Sequence, residues 1–92
     1  MRLTELDPHW VAAFFGGPTI GILFECPHCR DTHLAVYFVK DAIRPQGAAT
    51  VHLTDYAWSR TGDSFENLTL TPSIDASAHG HWHGFITNGA VA

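Results

Sequence analysis

Hydrophobic positions along this chain recur at every second residue in short runs. Ile20, Ile22 and Phe24 alternate with Gly21 and Leu23, and Leu34, Val36 and Phe38 alternate with Ala35 and Tyr37. A period of two in β-branched and aromatic residues is the mark of a strand. Cys26-Pro27-His28-Cys29 and Arg30-Asp31-Thr32 lie between the two runs, which predicts a hairpin with the cysteines at its tip. Val51 and Leu53 alternate with His52 and Thr54, and Tyr56 and Trp58 carry the beat to a turn at Thr61-Gly62-Asp63. Leu68, Leu70 and Ile74 alternate with Thr69, Thr71 and Ser73. The residues from His81 to Thr87, then Asn88-Gly89, then Ala90 to Ala92 predict a closing hairpin, because Asn-Gly supplies the positive φ angles of a tight turn. Lys40 to Ala49, with Pro45 and Gly47, reads as a connection in which Asp41 to Arg44 form one helical turn.

One segment departs from this beat. Asp7-Pro8 resembles a helix start, with Asp as the cap and Pro at the first helical position, and predicts a short N-terminal helix over His9 to Phe15 stopped by Gly16-Gly17-Pro18. The alternative is an irregular segment whose Trp10, Phe14 and Phe15 plug the core. The expected fold is therefore mainly β, antiparallel, with one short N-terminal helix.

Size and composition narrow this further. With 92 residues, the chain has room for a single domain spanning 1–92. An apolar fraction of 46% with only 15% charged residues argues against disorder. Nine acids against five scattered bases (Arg2, Arg30, Lys40, Arg44, Arg60) give a net charge of −4 and no basic stripe, which argues against a nucleic-acid partner. Two acids and a proline in the first eight residues interrupt any signal-peptide core, and no run approaches the ~18 apolar residues of a membrane span, so a cytoplasmic chain with no membrane attachment is expected. In that compartment thiols stay reduced, and a structural disulfide is not expected.

Seven histidines accompany the two cysteines. A Cys-x2-Cys at a hairpin tip has the geometry of a zinc knuckle, but it supplies two of the four ligands that a closed structural site needs. His81-Trp82-His83 supplies the complement, since residues two apart on a strand share a face. The predicted centre is Zn2+ held by Cys26, Cys29, His81 and His83. His33 and His79 are competing ligands, while His9, His28 and His52 read as surface or internally satisfied residues. The 51 residues between Cys29 and His81 exceed the spacing of a DNA-reading finger. Such a metal would instead staple the last hairpin to the first, giving a small zinc-stapled β domain.

Three other readings stand beside this one. Both cysteines could be small buried hydrophobes, with Ala78 to His81 as a solvated loop. Cys-Pro-His-Cys is also the tetrapeptide of oxidising thioredoxin-fold thiol oxidases, and Thr71-Pro72 stands where that fold carries a cis-proline. That fold, however, starts a helix at the cysteines, and His33 to Val39 reads as a strand. A metal-dependent hydrolase is the third, with Glu25 as base and Trp10, Trp58 and Trp82 lining a pocket. Ser64, Ser73 and Ser77 lack a nucleophile-elbow context.

The N-terminal Met1 to Pro8, Gly21-Ile22-Leu23-Phe24-Glu25-Cys26-Pro27, Trp58 before Thr61-Gly62, Leu68-Thr69-Leu70-Thr71-Pro72-Ser73-Ile74 and His81-Trp82-His83-Gly84-Phe85-Ile86-Thr87-Asn88-Gly89 resemble a small family from bacteriophages and prophages. That family is catalogued as a domain of unknown function, and some of its members carry an ammonia monooxygenase label. The resemblance implies a cysteine-rich first hairpin and a metal-ligating histidine near the final Asn-Gly turn, with His83 the steadier position. A cysteine that can precede it in the family is lacking here, which leaves His79 and His81 both open for that ligand. The expected function is a phage-encoded zinc protein acting as a non-catalytic module on a host, phage or defence protein.

Overall fold

The computed structural model describes residues 1–39, 50–53 and 57–92. The chain forms two four-stranded sheets. The first holds β1 (His9–Ala12), β2 (Thr19–Glu25), β3 (His33–Tyr37) and β4 (Thr50–Leu53) in that order. The second holds β5 (Ser59–Thr61), β6 (Thr69–Asp75), β7 (His83–Thr87) and β8 (Ala90–Val91), again in order. The expectation of a mainly β chain is met, and the only helical segments among the described residues are 3-10 turns at Leu3–Glu5 and Ser77–His79.

The alternation seen in the sequence builds one core between the sheets. Ile22 and Phe24 of β2, Leu34 and Val36 of β3 and Leu53 of β4 meet Leu70 and Ile74 of β6, Ile86 of β7 and Val91 of β8. Leu3, Leu6 and Cys26 are buried in the same cluster. All three tryptophans pack into or against it. The opposite face of the first sheet carries a smaller cluster of Ile20, Ala35 and Tyr37, with Val11, Ala13 and Leu23 packed on it.

Both predicted hairpins form. β2 pairs antiparallel with β3 through Phe24 opposite Leu34 and Glu25 opposite His33, which leaves Cys26 to Thr32 as the connecting loop. β7 and β8 turn at Asn88 and Gly89, whose φ angles of 47° and 75° are those the Asn-Gly pair was expected to supply.

Three expectations need correction. The segment after Asp7-Pro8 is a strand: Trp10 pairs with Ile22 and Val11 with Gly21. Trp10 packs on the main core, stacked on Phe65 at 4.5 Å, while Val11 turns to the opposite cluster, so the segment is buried with period two and not as a helix. Asp7 does not cap; it lies at φ 48°, and its carboxylate takes His9 Nε2 at 3.1 Å and His33 Nε2 at 3.3 Å. Gly16-Gly17-Pro18 belongs to a hairpin connection, and Phe14 and Phe15 point outward, at 67% and 105% of full exposure. Second, β3 and β4 run parallel, with His33 opposite Thr50 and Val36 opposite Leu53. A parallel pair needs a crossover of about a dozen residues, and the chain between Tyr37 and Thr50 has that length. Third, β7 begins at His83, so the two-residue beat does not extend back through His81. The predicted turn at Asp41 to Arg44, and Tyr56, lie outside the described residues.

Candidate metal centre

Cys26 follows the last residue of β2 and is buried in the core, while Cys29 is exposed three residues further round the turn; both are free thiols. The loop is closed at its base, where the Thr32 carbonyl accepts from the Cys26 amide at 2.7 Å and the Cys26 carbonyl accepts from the Arg30 amide at 2.9 Å. Arg30 adopts φ 65° to reverse the chain. This tight turn aims the His28 and Cys29 amides at the Cys26 sulfur.

His81 arrives from the other sheet. The Asp75 carboxylate ends β6 by accepting from the Ser77 amide at 2.9 Å, and the chain then folds over a short 3-10 turn. The Ala76 carbonyl accepts from the His81 amide at 3.1 Å, and the Trp82 carbonyl accepts from the Ala76 amide at 2.9 Å. The Trp82 ring meets Phe24 edge-on, 6.1 Å between centroids at 86°, and its amide becomes the third donor directed at Cys26 Sγ. The packing of Trp82 thereby fixes its neighbour, and His81 Nδ1 comes to 3.5 Å from Cys29 Sγ. Ligand atoms of Cys26, Cys29 and His81 all lie within 4.8 Å of one another.

The electrostatics distinguish the two thiols. Burial pushes Cys26 up, but the amides of Cys29, His28 and Trp82 favour the thiolate more strongly, and the net shift is downward. Cys29 is held above the usual thiol range chiefly because its S–H donates to the Asp31 carboxylate. That same hydrogen bond holds Asp31 below the usual carboxylate range. Two sulfurs and an imidazole nitrogen at the end of two sheets form a donor set suited to zinc.

Of the four ligands predicted from sequence, the structure brings Cys26, Cys29 and His81 together. His83 stands apart at the start of β7, exposed, with Nε2 3.3 Å from Ser73 Oγ. His33 is held by Asp7, and His79 is exposed on the 3-10 turn. His28 is exposed, and His52 stacks on Tyr37 and hydrogen-bonds its hydroxyl. Glu25 is engaged by Arg30 at 3.2 Å. No helix starts at the cysteines; β3 follows them, so the arrangement that activates a thioredoxin-type thiol is not built here.

One residue escaped the sequence reading, and another, Ser73, was weighed there only as a nucleophile and set aside. Asp31 touches Cys29, and its signal was its place two residues after the second cysteine. Ser73 meets His83 because a bulge between Leu70 and Ile74 shifts the β6–β7 register, so that Leu70 faces Ile86 and Ile74 faces Gly84. The Trp58 indole N–H holds the bulge by donating to the Ser73 carbonyl at 3.2 Å. Comparison of the chain with protein-family models, curated proteins and solved structures found no match.

Proposed function

We propose that this chain is a small zinc-binding protein in which the metal staples the β2–β3 loop to the segment entering β7, and that it acts by engaging another protein. The observation that carries this reading is the convergence of Cys26, Cys29 and His81 from two sheets within 4.8 Å. The staple suits a chain of this size, whose core is small for its surface. A protein partner is supported by the exposed Phe14 and Phe15 at the β1–β2 turn, where two adjacent phenyl rings face solvent on an otherwise acidic chain. The resemblance to bacteriophage proteins makes a host, phage or defence protein the natural target, met in the host cytoplasm. Elemental analysis of protein expressed with ample metal tests the zinc: about one ion per chain is expected, and no zinc together with unchanged folding in chelator overturns the reading. Replacing Phe14 and Phe15 by serine should abolish partner capture while leaving zinc content intact.

A second reading, hydrolysis, rests on a different observation. Ser73 Oγ lies 3.3 Å from His83 Nε2, and Asp75 faces His83 in the β6–β7 register. A hydroxyl beside an imidazole is a nucleophile and its base. In this reading zinc orders the His81–His83 segment, and the metal-bound water with Glu25 as base is not required. Labelling by a fluorophosphonate probe that disappears in Ser73→Ala supports it, and absence of labelling in the wild type rejects it.

A further inference from the structure

The end of the first sheet away from the cysteine loop holds a cavity of about 530 Å³. Its wall combines Thr19, which starts β2, and Phe38 and Val39, which follow β3, with Trp58, Ser59 and Arg60. Successive side chains of an extended chain point to opposite faces, so a cavity lined by Trp58, Ser59 and Arg60 together runs along the edge of β5 and not over one of its faces. β5 is the outer strand of its sheet. Such an edge presents backbone N–H and C=O groups to an extended segment of another chain.

Arg60 gives this cavity its sign. Among the described residues Arg30 pairs with Glu25 at 3.2 Å and Arg2 donates to the Glu66 carbonyl at 3.0 Å, whereas Arg60 has neither kind of partner. Its guanidinium carbon lies 5.3 Å from the Trp10 ring centre and 5.1 Å from that of Phe38. Trp10 is itself fixed, stacked on Phe65 and edge-on to Phe38 at 6.5 Å. A guanidinium resting on rings keeps its in-plane N–H fork unspent, in the geometry that holds a carboxylate through parallel hydrogen bonds. On a chain of net charge −4 an acidic segment finds little attraction elsewhere. We infer that the cavity receives an extended segment of the partner protein, in which an acidic side chain pairs with Arg60 and a neighbouring apolar side chain covers Phe38 and the exposed Val39. This rests on the protein-partner reading above and extends its surface, because Thr19 pairs with Ala12 at the base of the turn that carries Phe14 and Phe15. The cysteine loop follows the far end of β2, so metal and peptide occupy separate places.

Nuclear magnetic resonance of the isotope-labelled full chain tests this, with the capped peptide acetyl-Thr-Val-Glu-Val-Thr-amide and its Gln counterpart as probes. The Glu peptide should shift the Arg60 and Phe38 signals saturably. The Gln peptide should bind at least about tenfold more weakly, the worth of a hydrogen bond to a charged group. Arg60→Gln should lose the same factor for the Glu peptide and bind both peptides alike, and added salt should weaken the Glu peptide alone. If circular dichroism shows Arg60→Gln unfolded, the comparison of the peptides on the wild type decides. Equal binding of the peptides, shifts confined to other parts of the surface, or no shift at all overturns the assignment. So does isovalerate binding as tightly as the Glu peptide, which gives the cavity to a small acid, or dimerisation lost in Arg60→Gln, which gives it to a second copy. These assays involve no partner, so their failure strikes the cavity alone; the partner reading falls separately, if capture survives replacement of Phe14 and Phe15.

Discussion

Replacing His81 by alanine would cut the proposed metal staple at its far end and leave the cysteine loop intact. His81 and Cys29 are 52 positions apart, and a metal joining them closes a loop of that length. By the relation used for covalent cross-links, such closure removes ~14 cal/mol/K from the unfolded chain, or about 4 kcal/mol at 25 °C. Mass action gives the same size: a ligand present at a thousand times its dissociation constant stabilises by about 4 kcal/mol. In a domain of under a hundred residues each kcal/mol moves the melting temperature by about 4–8 °C. Zinc-loaded His81→Ala should therefore melt roughly 15–30 °C below the wild type. His83→Ala, which removes an exposed ring whose hydrogen bond goes to Ser73, should stay within about 0.5 kcal/mol of it. Differential scanning calorimetry with and without a strong chelator reads both effects. Chelator should bring the wild type down to the His81→Ala value and leave that variant unmoved. Equal melting of wild type and His81→Ala in zinc, or a fall in His83→Ala as large as that in His81→Ala, would refute the reasoning.

Further outcomes follow from the same structure. At Gly84 an added Cβ would overlap the Ala92 carbonyl oxygen and the Trp82 ring, so Gly84→Ala should destabilise by about 1–3 kcal/mol and weaken zinc affinity through Trp82, measurable by urea unfolding and zinc competition. The Asp7 carboxylate is held below its ordinary value first by the His33 hydrogen bond and also by His9. A depressed folded pKa gives stability that is fully present above the unfolded value of about 4 and is lost as pH falls through the folded one. Asp7→Asn should accordingly lower the urea midpoint above about pH 4 and flatten its acid decline; identical profiles for the two proteins would remove this contribution. Acidification should also release zinc as thiolates and imidazole take up protons, and a metal content unchanged in mild acid would speak against these ligands.

Much of the fold was legible because two-residue alternation survives burial on one face. Phe24 and Leu34 face each other as the pattern required, and Asn88-Gly89 turns as its chemistry dictates. The first strand was misread because Asp7-Pro8 is a strong local helix signal, whereas the edge of β2 offered Trp10 and Val11 a pairing that local propensity does not report. The parallel β3–β4 pairing depends on a crossover, which alternation within a strand does not encode.

The candidate metal centre was half legible for a similar reason. Cys-x2-Cys carries its own geometry in a short turn, and the amides of His28 and Cys29 point at Cys26 because so few residues separate them. His81 was reached through an argument about strand faces, although it precedes the strand and is placed by the Ala76–Trp82 hydrogen bonds and by Trp82 on Phe24. Ser73 beside His83 depends on a bulge held by Trp58, an interaction between residues 15 apart that no local pattern announces.

The central claim is that Cys26, Cys29 and His81 hold one zinc ion. Anomalous diffraction at the zinc edge, from crystals grown without chelator, tests it most directly. The account predicts a single peak per chain within bonding distance of Cys26 Sγ, Cys29 Sγ and His81 Nδ1. A peak on His83 and away from the cysteines, or no peak from protein whose solution zinc content is nil, would contradict it.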